Sequence, residues 1–203
     1  MPVSIELVLA LDASASMDRN EFDMQVKGLV EAFRDPEVME AIRNLGPHGA
    51  AVAVTQWGGP GEARVILPFA HLTTEASSRA FAFRLSRTQR GFIASSTSVA
   101  TAINDGLRQM DRNSFVGDRR VIDISGDGID NAGTDLQAAR EAAASAHVEV
   151  NGLPIGDEEG LQDYYRTKVI VGPDAFTVPA RDFYDYPRAI KEKLLRELRP
   201  IAS

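Results

Sequence analysis

Hydrophobic positions along the chain follow two alternating patterns, short continuous runs and stripes at helical spacing. Six of the seven residues from Ile5 to Leu11 are apolar, which is too continuous for a strand with one wet face and too short for most helices. This run predicts a buried parallel strand whose two faces are both covered. Comparable runs predict further strands at 49–57, 63–72, 120–125, 148–155 and 168–171.

Stripes at helical spacing separate most of these strands. The first stripe, from Phe22 to Phe33, should end near Asp35-Pro36, because the residue before a proline is disfavoured in a helix. A second helix is predicted at 74–86, with Phe81, Phe83 and Leu85 on its inner side. Further helices are predicted near 99–110, 134–146, 161–165 and 190–198.

Two local motifs refine this pattern. Thr134 and Gln137 have the spacing of a capping box at the start of the alanine-rich helix. Asn151-Gly152 could form a hairpin turn, but we expect it inside a strand, since a right-handed helical crossover leads into that segment.

The order of the elements predicts the fold class. Gly58 to Gly61 form a turn too short for a helical crossover, so strands 49–57 and 63–72 should pair antiparallel as an edge hairpin. The rest alternates strand and helix. We therefore expect a doubly wound α/β fold, with a mostly parallel central sheet, one antiparallel edge strand and helices on both faces. Without a linker or repeat, 1–203 should form one domain.

Composition excludes several classes of function. The net charge of −7 argues against nucleic acid or an anionic membrane as the main partner. The absence of cysteine excludes disulfides and thiolate sites, and no apolar run reaches the ~20 residues of a membrane helix. We expect a monomer without membrane insertion. It would be periplasmic or secreted if a signal peptide has been removed, and cytoplasmic otherwise.

Oxygen ligands lie at three places where a predicted strand ends or a predicted helix begins. Asp12, Ser14 and Ser16 come directly after the first strand, Thr97 precedes a helix, and Asp127 follows the strand 120–125. Carboxyl ends of neighbouring parallel strands lie at one sheet edge, ~4.8 Å apart, where open α/β sheets bind ligands. Hydroxyls and carboxylates suit Mg²⁺, with Mn²⁺ or Ca²⁺ as alternatives, and weak hydroxyl ligands would leave a position open.

These residues resemble the metal-ion-dependent adhesion site (MIDAS) of von Willebrand factor type A domains. Asp12-x-Ser14-x-Ser16, Thr97 and Asp127 agree with that motif in order and position, although Ala15 and Ser95 stand where glycines are common. The resemblance implies a metal bound by these five residues and completed by an acidic side chain of a protein partner. Within the family the chain is most similar to uncharacterised bacterial single-domain members, through the stretches 33–38, 121–128 and 151–155.

Two enzyme classes compete with this interpretation. Ser125 to Asn131 also resembles the acidic motif of haloacid-dehalogenase-like phosphatases, with Asp12 as the nucleophile. Those enzymes place an aspartate where this chain has Ser14, and a lysine between the threonine and the acidic motif, where this chain has only arginines. A serine hydrolase is disfavoured because none of the three histidines accompanies a nucleophile-elbow serine. The sequence therefore favours a metal-dependent binding module over an enzyme.

Overall fold

A five-stranded sheet forms the centre of the protein, whose computed structural model describes residues 1–92, 94 and 96–199. The strands occur in the spatial order β3-β2-β1-β4-β5. β1 is parallel to β2 and β4, β5 is parallel to β4, and β3 is antiparallel to β2. The predicted fold class is confirmed. The strand bounds are β1 (Pro2–Asp12), β2 (Ala50–Trp57), β3 (Ala63–Leu72), β4 (Val116–Gly126) and β5 (Glu149–Pro154).

Helices cover both faces of the sheet. Leu7, Leu9 and Leu11 of β1 belong to one core cluster, together with side chains of α1, α2, α3 and α7. Val8 and Ala10 belong to a second cluster, together with α4, α5 and α6. Because successive side chains of a strand point to opposite faces, one apolar run supplies both cores. The helices are α1 (Arg19–Ala32), α2 (Pro36–Asn44), α3 (Glu75–Leu85), α4 (Val99–Arg112), α5 (Leu136–Ser145), α6 (Leu161–Tyr164) and α7 (Tyr186–Glu197).

Asp35-Pro36 follows the end of α1 and also begins the next helix, α2. The Asp35 carboxylate accepts a hydrogen bond from the backbone N–H of Glu37, and Pro36 occupies the first turn of α2, where its missing N–H costs nothing. The predicted end of α1 is correct, whereas α2 was not predicted. None of the helices in the described part of the chain is long and apolar enough to cross a bilayer.

Two side-chain predictions for the helices are wrong. Phe83 is 57% exposed, whereas Phe81 and Leu85 are buried. The alternation of 81, 83 and 85 is a strand period, and a helix buries positions three or four apart. Thr134 does not cap α5, since the N-cap is Asp135, whose carboxylate accepts from the N–H of Ala138.

The segment after α6 also differs from its prediction. A π-helical turn, Tyr165–Val169, replaces the first half of the strand expected at 168–171, and Val171 pairs with Val150 as an isolated bridge. Asn151-Gly152 lies inside β5, as expected, with Gly152 paired to Ile124. The carboxyl ends of β1 and β4 are thereby neighbours at one edge, where the predicted ligands follow.

Candidate metal centre

The loop after β1 is held in place by the backbone and by one arginine. Asp12 pairs with Trp57 at the end of the sheet, and the N–H of Ala13 donates to the carbonyl of Trp57 at 2.8 Å. The Arg90 guanidinium donates to the carbonyls of Ala13, Ser14 and Met17 at 2.7–2.9 Å. Three hydrogen bonds from one planar, rigid guanidinium group fix the path of the backbone in this loop. This role of Arg90 was not predicted from the sequence, because every residue has a backbone carbonyl and the residue types that accept these bonds give no sign of them.

The Asp12 carboxylate is fully buried at the bottom of the site. Its Oδ1 accepts from the N–H of Ser14 at 2.7 Å, whereas Oδ2 has no hydrogen-bond partner among the described residues. Burial raises the pKa of Asp12 to about 7, and the nearby charge of Asp127 adds to this increase. Burying a carboxylate oxygen lowers the stability of the fold unless a cation or a hydrogen-bond donor contacts that oxygen.

Hydroxyl groups connect the two acidic segments. Ser14 Oγ and Ser16 Oγ lie 3.1 Å apart, and Ser16 Oγ donates to Asp127 Oδ1 at 3.0 Å. Ser14 is buried and Ser16 is exposed, so the chain of hydroxyls leads from the interior to solvent. Burial raises the pKa of Asp127, and the hydrogen bond from Ser16 opposes this increase. Residues 111 positions apart in the sequence thus meet in one polar cluster.

Thr97 lies beside the loop that follows Asp127. Its N–H donates to Asn131 Oδ1 at 2.9 Å, and the N–H of Asn131 donates back to the carbonyl of Thr97 at 3.0 Å. A methyl group on Gly128 would be 3.7 Å from both Thr97 Oγ1 and Cγ2, so the threonine side chain lies beside this loop. Ser95, where a glycine was expected, lies outside the described residues. The structure therefore brings the three predicted segments to one edge of the sheet.

Two neighbours of the cluster have structural roles. The Asp130 carboxylate accepts from the N–H groups of Val99 and Ala132 and from the Thr134 hydroxyl, so it fixes the start of α4. Trp57 is fully buried and its indole N–H donates to the carbonyl of Ala10, which places it in the core.

The donor set matches a hard cation. The two carboxylates and the hydroxyls of Ser14 and Ser16 form one hydrogen-bonded cluster, Thr97 lies beside the loop after Asp127, and Asp12 Oδ2 has no hydrogen-bond partner among the described residues. No group of three or more histidine, cysteine or acidic side chains that could hold a metal occurs in the described ranges. A site here would be rich in hydroxyls rather than in charge, which favours a small divalent ion that keeps some of its water.

Solved structures share this fold. Proximal thread matrix protein 1 from the mussel byssus, with a zinc-occupied MIDAS motif, has a TM-score of 0.67 at 12% identity, over 98% of this chain and 47% of that one. A von Willebrand factor type A protein from Catenulispora acidiphila has a TM-score of 0.60 at 18% identity, over 97% of this chain and 43% of that one. BatB from Bacteroides thetaiotaomicron has a TM-score of 0.60 at 19% identity, over 96% of this chain and 98% of that one.

These likenesses establish the fold. The chain spans about half the length of the mussel and Catenulispora proteins and nearly all of BatB. The comparison with curated proteins finds no match. The fold is that of von Willebrand factor type A domains, as predicted, and the chain belongs to the family described as "Protein of unknown function (DUF1194)", whose model matches residues 2–202.

Proposed function

We propose that this protein binds a protein partner through a divalent cation, Mg²⁺ being the natural ion, held by Asp12, Ser14, Ser16, Thr97 and Asp127. The observation that carries the proposal is the hydrogen-bonded path from Asp12 through Ser14 and Ser16 to Asp127. It joins the segments that follow β1 and β4 through the backbone N–H of Ser14 and the hydroxyls of Ser14 and Ser16. It contains two carboxylates whose mutual repulsion a cation would relieve.

The solvent-exposed part of this path would allow a protein partner to reach the ion. Ser16 is exposed whereas Asp12 and Ser14 are buried, so an ion held here would be reached from one side. A Glu or Asp of the partner would complete the coordination. The net charge of −7 disfavours an acidic partner without the cation, which makes binding metal-dependent.

Titration of the chelator-treated protein with Mn²⁺ tests the proposal. Isothermal calorimetry should show one site, and Ser16→Ala and Asp127→Asn should weaken it at least tenfold. Ser86→Ala is the matched control for the serine variant, because Ser86 is also exposed and its hydroxyl donates to the carbonyl of Phe83, at the end of α3. An open position would appear as enhanced relaxation of water protons by the bound Mn²⁺. Equal affinities of all four proteins would contradict the proposed site.

A further inference from the structure

Tyr165 and Asp12 present two unpaired buried oxygens to the same point. A methyl group built on Gly126 would be 2.8 Å from both Asp12 Oδ2 and Tyr165 Oη, so the two atoms lie no more than about 5.6 Å apart. Both residues are fully buried, and neither oxygen has a hydrogen-bond partner among the described residues. Buried polar atoms in proteins are nearly always paired, so two orphans side by side require an explanation.

The sheet leaves a slot for the Tyr165 side chain. A methyl group on Gly152 of β5 would be 2.7 Å from Tyr165 Cδ1, and one on Gly126 of β4 would be 2.8 Å from its hydroxyl. Glycine at these two strand positions therefore permits the ring to lie against the sheet with its hydroxyl toward the metal centre. This also explains a glycine inside β5, where it would otherwise weaken the strand.

The backbone at Tyr165 has a rare conformation. The carbonyl of Tyr165 accepts from the N–H of Ile170, five residues later, in a π-helical turn, a feature that is frequent at functional sites. The preceding residue, Tyr164, contacts the same region, since its hydroxyl accepts from the N–H of Asp130 at 3.3 Å. Consecutive tyrosines thus reach two of the segments that make up the metal centre.

We propose that Tyr165 is a positioning residue for the metal centre, whose hydroxyl donates a hydrogen bond to Asp12 Oδ2 through one buried water. The two oxygens form no direct hydrogen bond and lie no more than about 5.6 Å apart, a distance that one water molecule can bridge. A carboxylate oxygen accepts more than one bond, so Oδ2 can be oriented by Tyr165 and still serve the cation or its waters. The inference rests on the proposed cation site.

Mn²⁺ affinities of wild type, Tyr165→Phe and Tyr186→Phe test this role. Tyr186 is the matched control: it is also fully buried, and its hydroxyl bonds to Ser125 Oγ, one residue before Gly126 and on the other face of the sheet. Both substitutions keep the ring and remove one buried hydroxyl. We expect Tyr165→Phe to bind Mn²⁺ about tenfold more weakly, as for other outer partners of metal ligands, and Tyr186→Phe to stay within about twofold of wild type.

The outcomes separate the two proposals. If wild type does not bind Mn²⁺, the proposed function fails and the role of Tyr165 fails with it. If wild type binds and Tyr165→Phe binds equally well, only the role of Tyr165 is overturned. An equal loss in Tyr186→Phe would also overturn it, because the effect would then come from general weakening of the core.

Discussion

Gly126→Ala should distort the proposed cation site without replacing any of the five residues proposed to hold the ion. The new methyl group would lie 2.8 Å from Asp12 Oδ2 and from Tyr165 Oη, and 3.1 Å from Trp57 Cζ2. These distances are below or at the limit of real contacts, and all three neighbours are fully buried. The side chains must therefore shift inside a packed core. Overpacking of this kind costs about 1–3 kcal/mol.

Gly128→Ala is the control for this prediction. A methyl group at Gly128 has only ordinary contacts, 3.7 Å from Thr97 Oγ1 and Cγ2, although it is two residues away. Both changes remove the same backbone freedom from the unfolded chain. The difference in their free energies of unfolding therefore isolates the steric effect at Gly126.

Urea unfolding of the metal-free proteins provides the measurement. With a slope of about 2 kcal/mol/M, a loss of about 2 kcal/mol moves the midpoint down by about 1 M. The same loss lowers the melting temperature by about 4–8 °C in a domain of this size. We also expect Gly126→Ala to weaken Mn²⁺ binding, because Asp12 is displaced. If Gly126→Ala is as stable as Gly128→Ala, the described packing around Asp12 is wrong.

Three further predictions concern the core, an ion pair and catalysis. Lys193→Met should lower the free energy of unfolding in urea by about 3–5 kcal/mol, because it leaves two buried carboxylates, both within 3 Å of the ammonium, without their counter-ion. Lys191→Met on the same helix, which removes a partly exposed ion pair with Asp35, should lower it far less. The hydrogen bond from Arg188 lowers the pKa of Asp185 below its usual 3.8, so this carboxylate stabilises the protein above that pH; the stability advantage of wild type over Asp185→Asn should shrink as the pH falls below about 4. Release of phosphate from a generic ester in Mg²⁺ should be no faster with wild type than with Asp12→Asn, and a clear excess would favour the phosphatase interpretation.

Elements with a strong periodic signal were predictable from the sequence. The apolar run of β1 has to be buried on both faces, which requires helices on both sides of a mostly parallel sheet. The short turn Gly58 to Gly61 leaves an antiparallel hairpin as the connection. Polar residues at the strand ends then share one edge, so the convergence of Asp12 and Asp127 followed from topology alone.

Other features depend on neighbours that are distant in sequence. Phe83 is exposed because α3 packs through positions 78, 81, 82 and 85, and the strong β propensity of 168–171 is overridden by the π-turn that starts at Tyr165. Arg90 and Asn131 position the segments of the candidate site through hydrogen bonds to backbone atoms, and the identity of the bonded residues gives no sign of such bonds.

The amino-acid sequence by itself determined the kind of fold and the chemical nature of the ligands, since hydrophobic period and side-chain oxygens are local properties. Only the tertiary structure decided which oxygens are buried, which are paired and which remain without a partner. Desolvation and hydrogen bonding depend on every element packed around a group, and so Asp12 Oδ2 and Tyr165 Oη become neighbours only when β1, β4, β5 and the π-turn are assembled.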